Sequence, residues 1–228
     1  MIPRRPEIFD NADAAYSYFY SYIPLFGEDF AETRALFNVG FYLRNPMDSE
    51  IHEENRKWNK EYAEAEWKWY LTGDQNISKL GDIYGKVPPI WERMADGEGN
   101  VNSNYGYQWQ RNNQLDRVVD MLKENPTTRQ AAISIYDAKE MDLYSTDTPC
   151  TYAVQFTITK NPFRLSTKDG ALDMSVVMRS NDLWYGFCND QYCFSKLQKL
   201  VADRVGIPVG RYYHFAHNLH LYNNKLPE

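Results

Sequence analysis

Apolar positions recur along the chain at two spacings. Between residues 53 and 72, Trp58, Tyr62, Ala65, Trp69 and Thr72 fall three or four apart, the period of an amphipathic helix. Gly73 and Asp74 supply its stop. Leu115, Val118, Val119 and Leu122 form the same stripe in a helix predicted over 112–124, ended by Asn125 and Pro126. A further helix is predicted over 190–205, with Phe194, Leu197, Leu200 and Val201 turned inward and Gly206 as its C-terminal stop. Tyr16, Tyr18, Phe19 and Tyr20 lie in a short helix within 11–28 that ends near Pro24. Pro88 and Pro89 introduce another over 90–95, closed by the Gly-rich turn 96–100. Residues 33–43 are rich in β-branched and aromatic side chains and read as a strand. So do 129–136, 151–159, 172–178 and 211–222. Strands that adjoin without a helix between them predict an α+β fold, a mixed sheet packed with helices, rather than a regular βαβ repeat.

No internal repeat, low-complexity tract or Gly/Ser-rich linker divides the chain, and 228 residues fit a single domain spanning 1–228. With 43% hydrophobic and 25% charged residues, the composition is that of a soluble globular protein able to bury a substantial core. The 25 basic and 31 acidic residues give a net charge of −6, which argues against duplex DNA or a membrane surface as partner. Three cysteines, Cys150, Cys188 and Cys193, show no paired spacing, so a reducing cytoplasm is expected rather than a disulfide scaffold. No apolar run reaches the roughly 18 residues of a membrane span, and residues 1–10 lack the apolar segment of a signal peptide.

Three constellations could carry chemistry. His214, His217 and His220 have the look of a metal cluster, but on a strand His217 points away from the other two. The period-two geometry therefore favours structural histidines, and no metal is expected. Cys150 follows Pro149 at the start of a strand. It is either an inert buried hydrophobe or a thiol set at a cavity edge. Arg179 and Ser180 leave a strand and could hold a phosphate, Arg through its bidentate fork. Asp182 and Asp190, near a helix start, serve either as caps or in a site. Neither GxxxxGK[ST] nor GxGxxG is present, so the usual nucleotide-loop signatures fail.

The order of these pieces resembles the thymidylate synthase superfamily. The resemblance rests on Pro149 with Cys150, on Arg179, Ser180 and Asp182 followed by Gly186, and on His220 with Tyr222. Upstream it includes Glu66 through Gly73 and Asp74, Ile90 with Trp91, Asn104 through Trp109, and Asn125, Pro126 and Arg129. It covers about residues 30–223. The resemblance implies a thymidylate synthase-like fold in which one sheet face forms a homodimer interface. It also implies a pyrimidine nucleoside monophosphate as substrate and 5,10-methylenetetrahydrofolate as co-substrate. Cys150 would be the thiolate that adds to C6 of the pyrimidine, and Glu66 would organise water and proton transfers. Arg179 and Ser180 would hold the 5′-phosphate, with Arg129 donated by the other subunit, and Arg179 would also favour the thiolate. His220 and Tyr222 would bond the sugar hydroxyl. Asp182 would contact the pterin, and Trp91 and Tyr105 would line the cavity.

One position discriminates substrates. Eleven residues after Arg179 and four after Gly186, where thymidylate synthases carry Asn, stands Asp190. An amide suits uracil, whereas a carboxyl accepts from the cytosine amine and shares a proton with N3. Ungapped spacing from both landmarks favours Asp190 over the adjacent Asn189 as the reader. The resemblance therefore points to the phage deoxycytidylate-hydroxymethylating branch, in which water rather than hydride reaches the C5 methylene. Thr151 after the cysteine agrees, since synthases commonly place His there. Alternatives are a dCMP methyltransferase, a CMP enzyme, a dUMP enzyme, or a non-catalytic nucleotide- or RNA-binding protein that keeps the fold. The pattern has departures. Gln130 stands where a second phosphate arginine is usual, and Arg34 is the nearest match to the N-terminal phosphate arginine. The sequence ends six residues after Tyr222, where family members continue, which predicts a wetter site that suits hydration.

Overall fold

The computed structural model describes residues 6–140, 147–160 and 170–227. Its centre is an eight-stranded mixed sheet. The strands are β1 (Glu7–Phe9), β2 (Glu28–Phe30), β3 (Thr33–Leu43), β4 (Ala132–Ser134), β5 (Thr151–Thr159), β6 (Ala171–Met178), β7 (Asn181–Asp182) and β8 (Val209–Tyr222). The path runs β1-β3-β8-β6-β5-β4, with β2 paired to β3 and β7 to β8. The neighbours β3 and β8 are antiparallel and β6 and β8 parallel, so the α+β expectation holds.

Alternation along the strands decides which side chains meet. Phe41 and Leu43 of β3, Val154 and Phe156 of β5, Met174, Val176 and Met178 of β6, and Tyr212, His214 and Ala216 of β8 are buried on one face. Helices α1 (Ala12–Phe26), α6 (Gln114–Glu124) and α7 (Phe187–Val205) cover that face. Helix α2 (Lys60–Thr72) packs on α7, with α3 (Ile77–Tyr84) and α5 (Tyr105–Gln110) against it and α4 (Pro89–Met94) between those two in sequence. The opposite sheet face carries Tyr42, Ser175, Val177, Tyr213 and Phe215, all half-buried.

The predicted strand at 33–43 and those at 151–159, 172–178 and 211–222 form within two residues of their expected ends. Several boundaries differ for physical reasons. The helix expected from residue 53 starts at Lys60, because Lys57 adopts φ 48° and Asn59 caps the new start by accepting from the Tyr62 amide at 3.0 Å. Pro24 does not end α1. It sits in the last turn, and the helix runs on to Phe26 before the Gly27 N–H closes on the Ile23 carbonyl at 2.8 Å. The strand expected over 129–136 is confined to Ala132–Ser134. Helix α7 begins three residues early, at Phe187, and its N-cap is Gly186 without a side-chain bond. The carboxylates of Asp182 and Asp190 are therefore free of that capping duty. Helices α3 and α5 have too few residues for their apolar pattern to stand out in the sequence.

Candidate active site

Cys150 sits where β5 begins, half-buried, with its Sγ 3.6 Å from an Arg179 amino nitrogen. Arg179 reaches this position because β6 runs antiparallel beside β5 with Thr151 opposite Met178. The same guanidinium donates to the Pro149 carbonyl at 3.0 Å and the Thr148 carbonyl at 2.7 Å. Burial pushes the thiol up to about 11, Arg179 draws it down, and Asp190, Asp147 and Asp182 push it further up. Arg179 thus acts in the expected direction, but burial outweighs it.

Glu66 lies on the inner face of α2 and is buried. Its Oε1 accepts from the Tyr70 hydroxyl at 2.5 Å and its Oε2 from the Asn189 amide at 2.9 Å. Tyr62, one turn earlier, also bonds the carboxyl and in turn accepts from Trp91 Nε1 at 2.7 Å. Burial raises the Glu66 carboxyl above its ordinary range, while Tyr70, Tyr62 and Asn189 pull it back in part. Trp58 Nε1 holds the other end of Asn189 at 2.9 Å. Each end of that amide thus carries a bond, and Asn189 links Trp58 to Glu66. Tyr62 and Tyr70 flank Glu66 at four-residue spacing, a signal readable in the sequence. The role of Asn189 and Trp58 was not readable, since they meet only in the tertiary structure.

One residue further along α7, Asp190 keeps a part-exposed edge, and its Oδ2 accepts from the Asn181 amide at 2.7 Å. Burial pushes its carboxyl well above the ordinary range, the Glu66 charge pushes the same way, and the Asn181 donor opposes them. Asp182 accepts from the Trp184 and Tyr185 amides at 2.8 and 3.2 Å through Oδ1, and it pairs with His220 across β7 and β8. Tyr105 is buried beside Phe194 and Tyr70 and is influenced by both Asp190 and Cys150. Ser180, Asn218, His220 and Tyr222 line a cavity of about 460 Å³ with Thr33 and the turn at 30–32.

The structure therefore gathers Cys150, Arg179, Asp182 and Tyr105 around one site, with Asp190 linking Cys150 and Tyr105 to Glu66 electrostatically and with Ser180, His220 and Tyr222 along the adjoining cavity. Trp91 is bonded to Tyr62, behind Glu66. Arg129 is exposed at the bend after α6 and is not part of this cluster. Arg34 is a correction. It pairs with Leu221, so its side chain leaves the sheet on the face opposite His220 and Tyr222, and it is tied to Asp29 at 3.0 Å and the Pro24 carbonyl at 3.4 Å. It does not serve the cavity. His214 and His217 diverge as the strand period requires. His214 stacks on Phe41, while His217 meets Asn38 on the other side. Among the described residues, no group of three or more His, Cys, Asp or Glu side chains is arranged to hold a metal ion.

A family model of thymidylate synthase matches residues 48–228. The chain belongs to the thymidylate synthase family. Within the match lie all the clustered residues above, from Glu66 to Tyr222. The chain is 36% identical over 165 residues to a deoxycytidylate 5-hydroxymethyltransferase of Enterobacteria phage T6, covering 68% of this chain and 61% of that relative. It is 36% identical over 155 residues to the enzyme of the same name from Enterobacteria phage T4, covering 64% and 57%. The matched stretch thus spans about three fifths of each relative's length. No helix among the described residues is long and apolar enough to cross a membrane.

Proposed function

We propose that the chain is a folate-dependent one-carbon transferase that hydroxymethylates dCMP at C5. The observation that carries this reading is Asp190. A carboxyl that holds its proton presents an O–H to cytosine N3 and a carbonyl oxygen to the cytosine amine, the reverse of what uracil N3–H and O4 require. Burial and the Glu66 charge favour that protonated form. The Asn181 amide occupies Oδ2, which leaves Oδ1 to carry the proton. Family membership and the phage relatives support the same substrate class.

In this reading Cys150 adds to C6 and makes C5 nucleophilic. Burial raises its thiol to about 11, so bond formation is coupled to proton loss near Arg179. Asp190 donates toward N3 and withdraws electron density from the ring, which eases attack at C6. Glu66, in its setting of three donors, handles the protons and aligns water. Bound 5,10-methylenetetrahydrofolate supplies the one-carbon unit. The donor set fits that ligand, because Asp182 uses Oδ1 for backbone amides and keeps Oδ2 for a pterin N–H. Ser180, His220 and Tyr222 hold the sugar and phosphate end. With Arg34 turned away and Gln130 uncharged, a homodimer that brings Arg129 of the partner subunit to the phosphate completes the charge balance.

The test is a parallel assay of dCMP, CMP and dUMP with 5,10-methylenetetrahydrofolate, with products identified by mass. The expected product is 5-hydroxymethyl-dCMP with tetrahydrofolate. Dihydrofolate would indicate methylation instead, and turnover of dUMP alone would overturn the substrate assignment. Asp190→Asn should move preference toward dUMP by about 1–3 kcal/mol of discrimination.

A further inference from the structure

The segment that carries the nucleophile is held from two sides. Its four consecutive carbonyls are all bonded. The Asp147 carbonyl accepts from the Asn102 side chain at 3.0 Å. The Thr148 and Pro149 carbonyls accept from the Arg179 guanidinium, and the Cys150 carbonyl accepts from the Arg179 amide at 2.8 Å. A further anchor is the Asp147 side chain. It is 1% exposed, and its oxygens accept from the 102–103 turn, Oδ2 from the Ser103 amide at 2.6 Å and Oδ1 from the Ser103 hydroxyl, with the Asn102 amide as a further donor.

We propose that Asp147 is the positioning residue of Cys150, a buried clamp that fixes the nucleophile's segment to the 102–103 turn and so sets the Sγ against the pyrimidine. The turn is a firm anchor. Next to it, Asn104 is buried, caps α5 through the Tyr107 amide at 2.8 Å and donates to the Asp74 carbonyl at 3.0 Å. The clamp thereby joins Cys150 to the end of α2, the helix that carries Glu66, and the two reacting groups share one frame. Attack at a ring carbon tolerates little displacement, since an ångström of misplacement costs about a hundredfold in rate.

Electrostatics argue that this role is geometric. The Asp147 charge pushes the Cys150 thiol up, against what a nucleophile needs. A buried carboxylate also costs solvation, which its donors and Arg179 offset only in part, so its own carboxyl is raised. What the carboxylate provides is two fixed acceptor atoms, which no neutral side chain of the same size reproduces.

The test uses Asp147→Asn and Ser103→Ala, which weaken the clamp from opposite ends, the first by removing one acceptor oxygen and the second by removing the hydroxyl donor, in the whole chain. It rests on the dCMP reading for one arm only. In that arm both variants should lose about tenfold to a hundredfold in kcat, with dCMP affinity nearly unchanged and little further loss in the double variant. In the second arm, which needs no nucleotide, the pH dependence of Cys150 alkylation by iodoacetamide is followed. Its midpoint should fall in Asp147→Asn, stay put in Ser103→Ala, and the limiting rate at high pH should rise in both as the segment loosens. Parental kcat in either variant, or matched losses of kcat and affinity, would overturn the clamp. If the unmodified enzyme leaves dCMP untouched, the functional reading falls, and the alkylation arm alone decides. An unchanged limiting rate in both variants then removes the proposal.

Discussion

At the scale of single residues, the site is a set of acids whose protonation is controlled by burial and by who donates to them. Glu66 has three donors and Asp190 has one, so the two carboxyls differ in chemistry although they share a neighbourhood. Asn189 is the residue through which that difference is maintained. Replacing it with Ala removes one donor from the Glu66 carboxylate, which raises the Glu66 pKa further. The limb of the kcat–pH profile that reports Glu66 should therefore move to higher pH, with about a tenfold loss of kcat at neutral pH. A profile that overlays the parent's would show that Asn189 does not tune Glu66. Asn189 and Asp190 are adjacent in the chain, but 100° apart on the helix, so one faces Trp58 and Glu66 while the other faces Asn181.

At the scale of elements, the cavity wall depends on how closely α5 packs on α2. A Cβ built on Gly106 would lie 1.7 Å from the Tyr70 carbonyl oxygen, a backbone atom with no freedom to yield. Glycine is required there because the helices approach closer than any side chain allows. Gly106→Ala should destabilise by about 3 kcal/mol, a fall of roughly 10 °C in Tm for a chain of this length. Thermal unfolding followed by circular dichroism measures it. A change under about 2 °C would mean that α5 can shift without cost. The same contact places Tyr105 beside Tyr70, with ring centroids 5.8 Å apart, within electrostatic range of Asp190.

For the whole molecule, acid stability is tied to a histidine outside the catalytic cluster. His214 lies between the sheet and α7, stacked on Phe41 at 5.1 Å, with its Nδ1 3.1 Å from both Gln191 and Tyr212. Burial holds it down from 6.5 to about 3. Above 6.5 it is neutral whether the chain is folded or not, and it contributes no pH dependence. As pH falls from 6.5 toward 3, the unfolded chain gains a proton that the folded one refuses. Stability is then lost at about 1.4 kcal/mol per pH unit. His214→Gln keeps an acceptor for Gln191 and Tyr212 but cannot titrate. Urea midpoints measured across this range should fall less steeply in the variant, and equal slopes would assign the acid sensitivity elsewhere.

Local pattern was enough for the strands that alternate cleanly and for α6, because one face of each is buried and the period shows it. The family was legible too, in short motifs around Glu66, Cys150, Arg179 and Tyr222 whose order survives without any geometry. Counting from Arg179 and Gly186 singled out Asp190 as the candidate base reader, since a helix start at fixed distance from a strand end leaves little room for a slip. What the sequence left undecided depends on contacts between residues far apart in the chain. Lys57 and Asn59 set where α2 begins, because Trp58 and Arg56 are pulled toward α7 and its approach, at 2.9 Å to Asn189 and 2.5 Å to the Trp184 carbonyl. Strand pairing turned Arg34 to the far face, and tertiary packing brought Asn181 to Asp190 and Ser103 to Asp147. Covalent order fixes which groups are available. Their direction, burial and proton affinity follow only when the sheet and helices close around them, since each of these depends on atoms that the chain brings from elsewhere.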